Sequence, residues 1–280
     1  MHPPLPPEPG SIATRRVVRF AAGRAGAAPA DDDRLAVEEP LELRLGGRPT
    51  TVIMRTPGHD EELARGFLFT EGLIHRAEDL LSMRRPDDLR DEERGNVLDM
   101  DVAPPLVTAR PFQRNFYASS SCGVCGKSSL AAIEVHARPV ISPPDLRFAP
   151  SLIAGLPDAL RAAQPTFDAT GGLHAAGLFD EGGALVALRE DVGRHNAVDK
   201  VIGWALAAGR LPASRMILQV SGRTSFEILQ KAIMAGIPLV SAVSAPSSLA
   251  VSLADRFGVT LLGFVRGGAM NVYTHEERVG

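Results

Sequence analysis

Residues 215–265 read RMILQV SGRTS FEILQKAIMAG IPLVSAV SAPSS LAVSLADRFG VTLLGFV, and this stretch decides the fold. Three apolar runs of strand length, at 215–220, 238–243 and 260–265, are separated by helical patterns at 225–235 and 247–257. Strands buried along their whole length and joined by helices imply a parallel sheet covered on both faces. Working upstream, a helix is expected over 196–208. Before it, HAAGLFD and ALVALRE flank Glu-Gly-Gly as a hairpin, and a helix is expected near 151–163, interrupted at Pro157. The C-terminal half, 150–275, is therefore expected to be an α/β domain. Prolines at 139, 143, 144 and 150 mark a linker before it.

Further upstream the grammar is mixed α+β. Residues 41–56 alternate around Gly46-Gly47 as a hairpin, and acids followed by helical apolar spacing predict a helix over 60–74. Residues 82–95, rich in Arg, Asp and Pro, read as a solvated loop. Strands are expected at 96–103 and 115–120, and a helix near 128–136. These make a smaller region, 36–138, with no internal repeat. Residues 1–35, which begin MHPPLPPEPGS, read as a disordered tail; they lack the charged and apolar segments of a signal peptide.

Composition excludes several classes. The chain has 280 residues, a formal net charge of −3, and two cysteines. Neither a disulfide scaffold nor a broadly basic nucleic-acid surface fits those values. No run of 18 apolar residues suggests a membrane span, and a cytoplasmic location is the default expectation. Arginine outnumbers lysine 27 to 3, and Lys127, Lys200 and Lys231 all lie in motif-like segments.

In an open α/β sheet, ligands bind beyond the carboxyl ends of the strands. Here those ends read Ser221-Gly222-Arg223-Thr224-Ser225, Ser244-Ala245-Pro246-Ser247-Ser248 and Arg266-Gly267-Gly268. Small hydroxyl turns that enter helices, with two arginines, suit a phosphate-bearing ligand, although Ser and Thr also simply cap helices. No Walker or Rossmann pattern is present. Arg194, His195, Asn196, Asp199 and Lys200 gather at the start of the 196–208 helix, a polar cluster that suits a ligand or a charge-paired first turn. His174 reads better as a satisfied, partly buried histidine.

Cys122-Gly123-Val124-Cys125, flanked by Ser119-Ser120-Ser121 and Gly126-Lys127, carries the reactive chemistry. Glycines and serines do not make an apolar pocket for a structural pair, and one CxxC supplies only half of a zinc set. A cation and a helix start lower a thiol pKa, which suits a nucleophile. Thiol–disulfide exchange and a persulfide relay both remain open on these residues.

The blocks SSCGVCGKSSL (120–130), GGLHAAGLFD (171–180), EDVGRHNAVDKVIG (190–203), the run 221–254, LLGFVRGGAMNVYT (261–274) and TPGHDEELARGFLFTEGLI (56–74) together resemble the FdhD family of formate dehydrogenase accessory sulfurtransferases. The resemblance spans roughly 40–275. It implies a cytidine-deaminase-like α/β/α layer in the C-terminal half, although the deaminase zinc signature is absent and that chemistry does not transfer. It implies a protein that takes sulfur from a cysteine desulfurase as a persulfide. The sulfur passes to a molybdenum (or tungsten) bis-guanine-dinucleotide cofactor required by formate dehydrogenase, with no intrinsic metal and a homodimeric state. Carried over by motif, Cys122 is the persulfide carrier and Cys125 its relay or support. The cofactor-binding stretch maps onto Phe264, Val265, Arg266, Gly267, Gly268 and Ala269, where the family often has a basic residue in place of Ala269. Arg194, His195, Asn196, Lys200, Ser221, Gly222, Arg223 and Ser244 are expected to face the same ligand. A cofactor-binding chaperone that does not depend on its cysteines is the competing function.

Overall fold

The computed structural model describes residues 6–20, 22, 31–87, 89–103, 140 and 142–280. In chain order, the N-terminal half contains β1 (Ile12–Val17), β2 (Asp31–Ala36), β3 (Glu39–Leu45), β4 (Arg48–Arg55), helix α1 (Asp60–Thr70), β5 (Leu80–Arg84) and β6 (Val97–Val102). The C-terminal half contains α2 (Pro150–Ala162), α3 (Pro165–Thr170), β7 (His174–Phe179), β8 (Leu185–Asp191), α4 (Arg194–Ala207), β9 (Ile217–Val220), α5 (Phe226–Met234), β10 (Leu239–Ala242), α6 (Ser248–Phe257), β11 (Thr260–Arg266) and β12 (Ala269–Thr274).

The C-terminal sheet runs β12-β11-β10-β9-β7-β8. Its centre, β9-β10-β11, is parallel as the alternation predicts, while β7, β8 and β12 add antiparallel margins. Alternate residues of each strand divide between two cores. Ile217, Leu239, Leu262 and Val265 pack against Ile153, Leu156 and Leu160 of α2. Leu218, Val220, Val240, Ala242 and Leu261 share the other core with the buried faces of α4, α5 and α6. Both faces of the parallel centre are thus covered by helices, which is why β9 and β10 are buried along their whole length.

In the N-terminal half a four-stranded sheet, β4-β3-β6-β5, is mixed: β3 pairs parallel with β6 and antiparallel with β4. Its Leu41, Leu43, Leu98 and Met100 join Leu63 and Leu68 of α1, and these continue into the same core as Val198 and Val201 of α4. The expected division into regions 36–138 and 150–275 is therefore not a division of the core. Helix α1 lies directly on α4, with backbones so close that a Cβ built at Gly66 would stand 1.8 Å from the Asp199 carbonyl oxygen.

Several expectations are corrected. Residues 12–17 and 31–36 of the expected tail form an antiparallel ladder that places Arg15 opposite Asp33 and Arg16 opposite Asp32. Cross-strand charge pairs, not apolar alternation, mark that ladder, so the hydrophobic pattern missed it. Part of the 82–95 loop is β5, paired with β6. Pro157 does not interrupt α2. The 60–74 helix ends at Thr70. The strand at 115–120, the helix near 128–136 and the whole cysteine segment lie outside the described residues.

Candidate functional site

The three parallel strands end on one edge of the sheet. β7 starts on that edge and β8 ends there, because Ala176 pairs with Val220 and His174 with Asp191. Each strand-end turn is tied to its neighbour. Ser221 Oγ accepts from Ala175 N at 2.9 Å, Ser247 N donates to Thr224 O at 3.0 Å, and Phe264 N donates to Ser244 O at 3.3 Å.

Above this edge, on the α2 face, lies a cleft of about 580 Å³, within the range of roughly 300–1,000 Å³ usual for small-molecule sites. Ser221, Val243, Arg266 and Gly267 form its strand-end wall, with His174 beside them. Asp158, Arg161, Gln164 and Phe167 form the wall from α2 and α3. Burial holds the His174 ring below the ordinary histidine pKa, and the positive charge of Arg194 and the His195 ring act in the same direction. His174 is accordingly neutral at pH 7, able to donate from one nitrogen and accept at the other.

The expected site residues divide into two groups. Ser221, Arg266 and Gly267 line the cleft. Gly222 sits against the His174 ring, which a Cβ there would approach to 3.3 Å. Gly267 and Gly268, both at positive φ, turn β11 into β12 and leave Arg266 and Ala269 exposed. Phe264 occupies the left-handed region at φ 54°, within a register shift of β11, and its ring lies under the Arg266 guanidinium at 5.6 Å. Such strain in a non-glycine residue is characteristic of functional sites. Arg223 is exposed on its turn.

The second group has structural partners instead. Val265 is fully buried in the core beneath α2. Lys200 is 1% exposed; its ammonium contacts Asp191 at 2.8 Å and the Thr56 carbonyl at 2.9 Å, so it points away from the cleft. Asn196 donates to Met54 O and Asp191 Oδ1. Asp199 is likewise buried, against Lys231. A polar run at a helix start looks alike in sequence whether it faces a ligand or the neighbouring half of the molecule.

His195 lies between these groups. Its Nε2 stands 2.8 Å from Glu227 and 3.2 Å from Ser225 Oγ, at the start of α5. Next to it, Arg194 has a buried Nε with no hydrogen-bond partner among the described residues. Cys122 and Cys125 lie outside the described residues. Sequence reasoning missed Asp158, Gln164 and Phe167, because α2 and α3 read simply as the helical cover of the sheet. No helix among the described residues is long and apolar enough to cross a membrane.

Comparison with known proteins places this architecture. The chain is 53% identical to the "Sulfur carrier protein FdhD" of Streptomyces avermitilis over 269 residues, covering 95% of this chain and 94% of that one. It is 53% identical to the protein of the same name from Mycolicibacterium paratuberculosis, with 95% and 98% covered. Its identity to the one from Sulfolobus acidocaldarius is 43%, with 94% and 98% covered. A crystal structure from Desulfotalea psychrophila, named as a candidate formate dehydrogenase accessory protein, superposes with a TM-score of 0.74 at 26% identity, over 96% of this chain and 99% of that one. Residues 36–280 match the FdhD/NarQ family, and the chain belongs to it.

Proposed function

We propose that this protein is a sulfur carrier in formate dehydrogenase maturation, a sulfurtransferase that works through a cysteine persulfide. The observation that carries this reading is family membership, with relatives named sulfur carrier proteins at 53% identity over nearly the whole chain. In the loading step the Cys122 thiolate attacks the outer sulfur of a cysteine desulfurase persulfide. The donor S–S bond breaks, the desulfurase cysteine leaves as thiolate, and Cys122 keeps the sulfur as its own persulfide. Cys125 supports or relays that sulfur.

The receiving substrate is a molybdenum (or tungsten) bis-guanine-dinucleotide cofactor. The strand-end cleft fits the nucleotide parts of such a molecule. It offers nucleotide-scale volume, the forked donors of Arg266, and the open backbone of the Gly267 turn. Arg266 and the Gly267 turn hold phosphate in this reading, and neutral His174 adds a donor or acceptor at the wall. We further propose a cytoplasmic homodimer whose C-terminal layers share ancestry with the cytidine deaminase fold.

Incubation with a cysteine desulfurase and cysteine, followed by intact-mass measurement, is the direct test. Wild-type protein should gain the mass of sulfur and activate formate dehydrogenase in a reconstituted assay, and Cys122→Ala should do neither. A doubly substituted Cys122→Ala, Cys125→Ala protein that fully restored formate dehydrogenase activity would show a chaperone without cysteine chemistry. Turnover of a model disulfide without sulfur gain would show a redox protein.

A further inference from the structure

Residues 6–11 lie upstream of the 36–280 match to the family, and they cross the seam between the two halves as a strap. Ser11 anchors it. Only 1% exposed, Ser11 accepts from Val37 N at 2.9 Å, while its own N and Oγ both donate to Glu8 O. Glu8, Pro9 and Gly10 are exposed, and Glu8 backs onto Gly58, where an added Cβ would stand 2.8 Å from the Glu8 Cβ. Beneath the strap is a cavity of about 80 Å³, room enough for water. Thr56 and His59 wall it from one half, and Thr166 of α3 with Leu188 and Glu190 of β8 from the other. A segment that spans a cavity, mostly exposed and held by few bonds, opens more readily than the core beneath it.

The strap meets the body at a titratable ring. His59 precedes α1 in the left-handed region, at φ 56°, and its Nε2 stands 3.4 Å from Glu8 Oε1. The charges around it are mixed. Glu8 of the strap and Glu62 of α1 favour the charged ring, whereas Arg189 of β8 and Lys200 of α4 oppose it. Asp60 and Glu61 are turned to Arg55 and Arg65, and Glu190 is held by the N–H groups of Thr166 and Phe167. Burial is the largest influence and holds the ring below the ordinary histidine value. Lifting the strap would wet that ring, and water favours its charged form. By linkage, protonation then favours the lifted strap.

We infer that residues 6–11 are a proton-released cover of the seam cavity: uptake of a proton by His59 frees the strap from Glu8 through Ser11 while both halves stay folded, and Glu8 restrains the release by pairing with the imidazolium. The hold is complete above about pH 6.5, the ordinary histidine value. It is lost as pH falls toward the lowered value of the closed form, by at most a factor of about ten per pH unit.

Amide hydrogen exchange of the full-length protein between pH 7.5 and 5.5 tests this, read at Val37, whose N–H is held by Ser11. Corrected for intrinsic rates, Val37 protection in wild type should fall roughly three- to tenfold over that range. Leu218 and Val240, in the core, should keep theirs. His59→Asn, which tolerates the left-handed backbone, should keep Val37 protection level across the range. Glu8→Gln removes the restraining charge and should enlarge the fall. Protection of Val37 that does not change with pH in wild type would overturn the inference, as would an equal fall in His59→Asn or an unchanged or smaller one in Glu8→Gln. An equal loss at Leu218 and Val240 would show global unfolding in place of strap release, and would overturn it too.

Discussion

Two of the three lysines in this arginine-rich chain are buried, and their geometry explains why arginine does not stand there. Lys200 Nζ reaches Asp191 and the carbonyls of Thr56 and Glu190 from one tetrahedral ammonium. Lys231 Nζ contacts both oxygens of Asp199, at 2.8 and 2.7 Å, and Thr70 Oγ1 at 3.1 Å. A planar guanidinium cannot direct its donors into three non-coplanar acceptors at a point. Burial raises the Asp199 carboxyl, and it also acts most strongly against the Lys231 ammonium, but the charge and hydrogen bond of Asp199, together with the charges of Glu71 and Glu227, outweigh it and hold Lys231 charged. Removing one partner leaves the other buried alone. Lys231→Met should therefore cost about 3–5 kcal/mol in urea unfolding, and Lys231→Met combined with Asp199→Leu should recover much of that loss. If the single variant unfolds at the wild-type midpoint, the pair has no structural weight.

At the scale of elements, the joint between the two halves is the crossing of α1 and α4. A Cβ at Gly203 would stand 1.8 Å from the Glu62 carbonyl oxygen, as one at Gly66 would from that of Asp199. The two glycines let the helix backbones touch, and only backbone movement could relieve an added methyl. Gly66→Ala should destabilise by more than the roughly 1–3 kcal/mol usual for overpacking, and thermal unfolding would measure it. Gly155, on the outer side of α2, has open space around its Cβ position and serves as the control, where alanine should be neutral or slightly stabilising. The α1 helix was legible from its acids and apolar spacing, but this crossing was not. Nothing in ELARGF distinguishes a glycine that admits a neighbour from one that is merely tolerated in a helix.

For the whole molecule, one core runs through both halves, from Leu41 and Leu63 to Val198 and Leu261. A fragment of residues 140–280 would expose the α1-facing side of α4 and leave Lys200 without Thr56 and Lys231 without Thr70. It should not unfold cooperatively, and a sharp two-state urea transition in that fragment would contradict the single core. Stability should also fall in mild acid. Burial, with Arg194 and His195 beside His174 and Arg189 beside His59, holds both rings below the ordinary histidine value. The unfolded chain therefore takes up protons first as pH drops below about 6.5, and stability is lost from there down to the depressed folded values. Each ring adds at most about 1.4 kcal/mol per pH unit, and less because both are partly solvated. His174→Gln and His59→Asn should each flatten the pH dependence of urea stability between pH 6.5 and 5. A second loss belongs at lower pH. Burial opposes the Asp60 charge, but its hydrogen bonds to Arg55 and Arg85 hold the carboxyl below its usual range, so that stability disappears as pH falls through the lowered value.

The sequence by itself determined the order of strands and helices from 215 to 265, the parallel centre of the sheet and the shared edge on which the strand-end turns gather. Hydrophobic period and turn chemistry are local, and they survive in the one-dimensional record. It also brought the paired cysteines and the strand-end Arg266-Gly267 turn into view. Only the tertiary structure decided which polar residues face the cleft and which are spent inside. Lys200, Asn196 and Val265 turned inward, because each found a partner or a core contact far away in the chain, at Thr56, Met54 and α2. Asp158, Gln164 and Phe167 came to face the strand ends for the same reason in reverse. Packing α2 and α3 over the sheet sets their side chains opposite residues up to about a hundred positions distant, and no spacing within a helix encodes that opposition.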